Sequence, residues 1–245
     1  VGSSQSIAGP LVALNTIVAE SLDWVAGELE SATGGDPERL PGAVEGLLQK
    51  MIADHKAVVF NGNGYSEEWQ AEAKQRGLPN LRSTPEALDA LVSPKSLALF
   101  SKYGVLSERE MRSRHEIYLE RYGKDLHTEA QAMLTIARTM ILPAAYRYQG
   151  ELVAIAAGLQ GLGKPPHLGT LEQLMTLVGE LESRIEGLAA AADQTTADLR
   201  AEVQHLHDAV IPAMAQVRET ADQIEMILPD DLWPLPTYRE MLFIR

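Results

Sequence analysis

Leu171-Glu-Gln-Leu174-Met-Thr-Leu-Val178-Gly-Glu-Leu181-Glu-Ser-Arg-Ile185-Glu-Gly-Leu188-Ala-Ala-Ala-Ala192 is the stretch that decides the fold. Its apolar residues at 171, 174, 178, 181, 185, 188 and 192 alternate steps of three and four, the spacing that lines one face of an α-helix. After Gln194-Thr-Thr the same pattern resumes at Leu199, Val203, Leu206, Val210, Ala213, Val217, Ile224 and Ile227, with Thr220 as its weak member. Two heptad arms joined by a short polar connection predict a long antiparallel hairpin over residues 170–228. Pro212 is expected to bend the second arm.

Upstream, the period of three and four recurs. Pro10 sits where a first helical turn tolerates proline, and Leu11, Leu14, Val18, Leu22, Val25 and Leu29 follow on one face. Gly34-Gly35-Asp36-Pro37 ends that helix. Val44, Leu47, Leu48, Met51 and Ile52 predict a second helix. Three short helices carry start signals: Ser66 before Glu67 and Glu68, Thr84-Pro85-Glu86, and Ser93-Pro94-Lys95. Gly104 is a stop. Ser107 with Glu110 forms a capping box opening a helix to about Tyr122, which Gly123 should end. A long helix is then expected from Thr128 to about Gln160, kinked between Thr139 and Pro143. The tail Leu228-Pro-Asp-Asp-Leu-Trp-Pro-Leu-Pro is too rich in proline for regular helix, and Leu232, Trp233 and Leu235 should dock it. No strand pattern stands out. The fold class is all-α, an elongated helical bundle with kinked long helices.

The chain has 245 residues, 45% of them hydrophobic, enough for a sizeable core. A net charge of −13 argues against nucleic acid and against an anionic membrane surface. The absence of cysteine excludes disulfides, thiolate metal sites and cysteine nucleophiles. No apolar run approaches the ~20 residues of a membrane span. The start, Val1-Gly-Ser-Ser-Gln-Ser, has neither initiator Met nor signal pattern, so a processed or truncated product is expected.

Several constellations approach known chemistry and stop short. Gly158-Leu-Gln-Gly-Leu-Gly163-Lys164-Pro165 has proline where a phosphate-binding loop needs the magnesium-ligating hydroxyl, so a glycine-rich helix end is expected. Gly62-Asn-Gly64 reads as a tight turn, because a dinucleotide fingerprint would need glycine in place of Glu67. His115-Glu116 begins like a zinc-protease helix, but Leu119 stands where the second His belongs. His205 and His207, two apart and followed by Asp208, point to nearly opposite sides of a helix, so they cannot share an ion and are expected on a solvated face. Glu129, Glu151, Glu180 and Glu182 could build a carboxylate-bridged metal centre, as in a helix-bundle metal oxidase, but the Glu-x-x-His repeat is missing. Ser3, Ser4 and Ser6 have no nearby His, and Ser113 beside His115 lacks an orienting third group. On residue chemistry no catalytic, cofactor-binding or metal residue is assigned.

A set of longer stretches resembles one family. They are Gly2-Ser-Ser-Gln-Ser-Ile-Ala-Gly-Pro10, Leu14-Asn-Thr-Ile-Val-Ala-Glu-Ser-Leu22, Phe60-Asn-Gly-Asn-Gly-Tyr-Ser-Glu-Glu-Trp69, Arg76-Gly-Leu-Pro-Asn-Leu81, Lys102-Tyr-Gly-Val-Leu-Ser-Glu-Arg-Glu110, Arg114-His-Glu-Ile-Tyr-Leu-Glu120, Ile141-Leu-Pro-Ala-Ala145 and the ending from Pro229 to Ile244. In order and over essentially the whole chain, they are similar to the C-terminal part of type III glutamine synthetases.

The resemblance implies an ATP-dependent ligase joining ammonia to the γ-carboxylate of glutamate, with Mg2+ or Mn2+ holding the phosphates. It implies a homo-oligomer, a double-ring dodecamer, and the acidity of the chain predicts a soluble cytoplasmic protein. Residues 1–31 resemble the last helix of the catalytic domain, and residues 32–245 the helical C-terminal domain that distinguishes type III. The family's metal-binding glutamates, nucleotide contacts and phosphate-binding arginines lie upstream of Val1, so the segment alone is expected to be inactive, with no ligand of its own. An independent helical interaction module is the alternative. Gly62 and Gly64 are expected to serve backbone geometry, and Trp69 to pack against its domain.

Overall fold

The computed structural model describes residues 6–194, 196–236 and 238–242. Ser3, Ser4 and the Gly2 start of the first family-like stretch lie outside them. Every regular element among the described residues is helical. The chain forms two compact units, Val1–Glu116 and Ile117–Arg245.

In the first unit, α1 (Ala8–Thr33) takes Pro10 in its first turn and ends at Gly34, whose left-handed φ of 61° lets its N–H reach the Glu30 carbonyl. The α1 helix packs on α2 (Leu40–Asp54) and on α5 (Pro94–Lys102). Between them, α3 (Glu67–Gln75) is capped by Ser66, whose Oγ accepts from Trp69 N. The cap of α4 (Thr84–Leu91) is one residue earlier than Thr84. Ser83 Oγ accepts from Glu86 N, and the Glu86 carboxylate accepts from Ser83 N and Arg82 N. That reciprocal box satisfies more orphan donors than a Thr84 hydroxyl would. Ser93 caps α5 as expected, and Ser107 with Glu110 opens α6 (Glu108–Ile136). The buried apolar residues described here are few: Ala73, Phe100 and Met111.

Gly123 does not end α6, which continues to Ile136. One interior glycine costs about 1 kcal/mol of helix propensity, and flanking burial outweighs it. Tyr122 packs against the core, Leu126 and Ala130 are buried within it, and the Gly123 backbone faces Val203 and Leu206. A π-helical turn, Ala137–Ile141, then leads into α7 (Leu142–Gly161). A second π turn, Leu206–Val210, joins α9 (Leu199–His205) to α10 (Ile211–Glu225). Each turn immediately precedes an X-Pro pair, Leu142-Pro143 or Ile211-Pro212. A proline supplies no N–H and crowds the carbonyl four residues back. Here the backbone widens instead: Leu142 N–H reaches the Ala137 carbonyl and Ile211 N–H the Leu206 carbonyl, both five residues back.

The second unit holds the main core. The α8 helix (Gly169–Ala192) packs on both α7 and α10 and buries Leu174, Leu177, Val178, Leu181, Ile185 and Leu188. The α9–α10 stretch buries Val203, Leu206, Val210, Val217, Ala221 and Ile224. Arg184 Nη1 donates to the Gln216 carbonyl at 2.8 Å, and His205 meets the Ala191 carbonyl at 2.8 Å, so α8 and the α9–α10 stretch run in opposite directions. Thr220 is completely buried, and its hydroxyl donates to the Gln216 carbonyl of its own helix, so burial leaves that hydroxyl paired. In the tail, Trp233 and Leu235 pack against this core while Leu232 stays half-buried outside it. A last turn, α11 (Tyr238–Leu242), follows.

Candidate functional site

The densest polar constellation is one that local sequence patterns did not mark. Glu20 and Asp23 of α1 meet Lys102 and Tyr103 at the end of α5. Lys102 Nζ lies 2.7 Å from Glu20 Oε2 and 2.9 Å from Asp23 Oδ2. The Tyr103 hydroxyl lies 2.5 and 2.8 Å from the same two carboxylates and shares its single proton between them. Phe100, buried, anchors α5. Gly104, at φ 61°, turns the chain out of the helix with Val105 N–H on the Phe100 carbonyl, a Schellman end that leaves Lys102 and Tyr103 beside α1.

The electrostatics follow from those bonds. Hydrogen bonds from Lys102, then Tyr103, hold the Glu20 and Asp23 carboxyls below their usual range. The bond to Glu20 first, then those to Tyr103 and Asp23, raises the Lys102 ammonium well above its own. Desolvation, then the bond to Glu20, pushes the Tyr103 phenol up to about 12. At neutral pH both carboxylates are ionised, the ammonium charged and the phenol protonated. No member is poised to accept or release a proton, so the cluster is a clasp rather than an acid–base site.

A second construction surrounds the glycine turn. Phe60 and Trp69 stack with ring centroids 4.1 Å apart, and the Arg76 guanidinium lies 5.3 Å from the Trp69 centroid. Arg76 Nη1 donates to the Ala57 and Val59 carbonyls and Nη2 pairs with Glu72. Trp69 is therefore half-buried in a local stack. Gly62 and Gly64 do not adopt left-handed φ. Gly62 is needed for space, since a Cβ there would lie 2.5 Å from Phe60 Cζ, while a Cβ on Gly64 would meet nothing within 4 Å. Asn63 shapes the turn, its Oδ1 accepting from Tyr65 N, and Tyr65 itself is 95% exposed.

The remaining sequence candidates separate. Gly163, at φ 66°, closes α7 with Lys164 N–H on the Leu159 carbonyl, so the phosphate-loop look-alike is a helix end. His115 Nε2 lies 3.3 Å from Asp89 Oδ1, linking α6 to α4. His205 is not on a solvated face: it is half-buried against the Ala191 carbonyl, in the last turn of α8. His207 turns instead to Asp208. Glu182 accepts from the Tyr146 hydroxyl, while Glu129, Glu151 and Glu180 are exposed. Ser113 is exposed on α6, and Ser6 Oγ accepts from Ala8 N. Among the described residues no three His, Asp or Glu side chains converge as metal ligands. The described residues therefore offer no such set of ligands for a divalent metal. No described helix is long and apolar enough to cross a membrane.

The family described as glutamine synthetase C-terminal domain matches residues 43–160. Type-3 glutamine synthetase of Dictyostelium discoideum is 36% identical over 256 residues, covering 100% of this chain and 34% of that protein. Glutamine synthetase of Butyrivibrio fibrisolvens is 33% identical over 220 residues, covering 87% of this chain and 31% of its own length. That of Bacteroides fragilis (strain YCH46) is 28% identical over 259 residues, covering 100% and 35%. The chain thus spans about a third of the length of each relative. It belongs to the type III glutamine synthetases, as a segment matching their C-terminal part.

Proposed function

We propose that this chain is the non-catalytic C-terminal scaffold of an ATP-dependent glutamate–ammonia ligase. In this reading residues 1–31 are the last helix of the catalytic domain and residues 32–245 the helical domain particular to type III. Glutamate, ammonia, ATP and Mg2+ or Mn2+ bind to the rest of the protein, and this segment supplies no catalytic, nucleotide or metal residue. The protein works as a cytoplasmic homo-oligomer, a double-ring dodecamer.

The observation that carries the reading is the whole-length match to proteins about three times longer. The geometry of α1 supports it. Leu11, Leu14, Val18 and Leu22, its apolar stripe, are 47 to 64% exposed, as suits a helix whose cover belongs to another part of the same protein. The rival reading, an independent interaction module pairing through the heptad arms, is weaker because those arms already bury their apolar residues in their own unit. The test is glutamine synthesis from glutamate, ammonia and ATP. The longer protein containing this segment should show it and the 245-residue chain should not. Glutamine formation by the isolated chain would overturn the scaffold assignment.

A further inference from the structure

The α1 helix is attached to its unit the wrong way round for an amphipathic helix. At ~100° per residue, Leu11, Leu14, Val18 and Leu22 share one side, while Thr16, Glu20 and Asp23 share the opposite side. The side turned towards α5 is the polar one: Thr16 is buried, with its hydroxyl on the Val12 carbonyl, and Glu20 and Asp23 enter the clasp. The only fully buried α1 side chains are two threonines, Thr16 and Thr33. Apolar interdigitation, which normally sets the register of a helix on its neighbour, is therefore weak here.

We propose that Lys102 and Tyr103 are the positioning residues that fix α1 on α5 and hold its apolar stripe outward, towards the catalytic portion of the longer enzyme. This rests on the assignment of α1 to the catalytic domain made above. The two donors each bridge the same two carboxylates, which stand three residues apart on one face of α1. Sliding or rotating α1 by one residue would break all four contacts together, whereas a leucine interface could slip with partial loss. Its charged members are about half exposed (Lys102 50%, Glu20 41%, Asp23 56%), so the cluster adds little stability and acts chiefly on register. Lys50 adds a looser contact from α2, 4.0 Å from Glu28 and 5.9 Å from the Trp24 ring, and it bridges no pair of α1 carboxylates.

The test uses hydrogen exchange on the chain and activity on the longer protein. Lys102→Met with Tyr103→Phe should speed amide exchange across residues 11–25 by roughly tenfold or more, leaving α8 and α10 unchanged. Lys102→Arg, which keeps a charged two-carboxylate donor, should restore protection in the Tyr103→Phe background. Unchanged α1 exchange in the double variant would overturn the proposal, and so would α8 and α10 loosening equally, which would mean general unfolding. In the longer protein the double variant should lower kcat for glutamine synthesis several-fold, with rescue by Lys102→Arg. Loosened α1 with unchanged kcat would overturn the link to the catalytic portion. If the unaltered longer protein made no glutamine, the ligase assignment would fall while the exchange result still decided the clasp.

Discussion

Replacing Gly62 and Gly64 separately by alanine tests the account of the glycine turn, because the two positions look alike in sequence and differ in space. At Gly62 the new methyl would lie 2.5, 2.9 and 3.3 Å from three atoms of the Phe60 ring. Carbon atoms settle at about 3.5–4.0 Å, so either ring or backbone must move by about 1 Å. The ring is stacked on Trp69, and leaving it forfeits about 0.5–1.5 kcal/mol of aromatic pairing besides burial. Keeping it in place is overpacking, at about 1–3 kcal/mol. Either route predicts destabilisation of about 1–3 kcal/mol, or about 2–12 °C in the melting of a chain this long. At Gly64 the methyl meets nothing within 4 Å and φ is not left-handed, so alanine should be neutral or stabilise by about 0.4–1 kcal/mol through the unfolded chain. Thermal melts followed by near-ultraviolet circular dichroism, which reads the Phe60–Trp69 stack, would measure both. A Gly62→Ala protein as stable as Gly64→Ala would refute the steric argument.

Gly123→Ala should stabilise by about 0.5–1 kcal/mol, because its methyl would sit 3.7–3.8 Å from Leu206, Glu202 and Val203 at ordinary contact distance; chemical denaturation checks this. Leu181→Ala, at a position with no exposed surface, should cost about 2–5 kcal/mol on the same assay. The clasp should show two pH limits. Glu20 and Asp23 have lowered values, so their contribution is present above 4.5 and 3.8 and is lost as pH falls below those values. Tyr103 has a raised value, so its contribution is present below 10.0 and is lost as pH rises towards about 12. The phenolate absorbance missing from a Tyr103→Phe variant should accordingly titrate above 10.0, and titration at or below it would contradict the bonds drawn here.

The helices and most of their ends were legible because their causes are local. Ser66, Ser93 and the Ser107–Glu110 box act within four residues of themselves, and the apolar period of α8 names its own buried face. What escaped was non-local. Glu20 and Asp23 lie about eighty residues from Lys102 and Tyr103 in sequence, and no periodicity connects them. The apolar stripe of α1 looked like a core face, yet from Leu11 to Leu22 it is exposed, and only Val25 and Leu29 are half-buried, because the clasp engages the opposite side of the helix. Gly123 carried an ordinary stop signal that flanking burial overrode. His205 looked solvated because its partner, the Ala191 carbonyl, is a backbone atom with no mark in the sequence. The stretches similar to the family fall on such joints, including the clasp, the Phe60–Trp69 stack and the buried residues after the first π turn.

The two π turns also bear on how the chain tolerates changes of length. A π turn is an α-helical turn carrying one extra residue, so removing one residue from 137–141 or 206–210 would restore ordinary winding without interrupting the helix. The proline that follows would then again oppose a carbonyl four residues back, so such a deletion should succeed only together with replacement of Pro143 or Pro212. Length and proline content are thus coupled at these two points, and a relative one residue shorter there is expected to lack the proline as well.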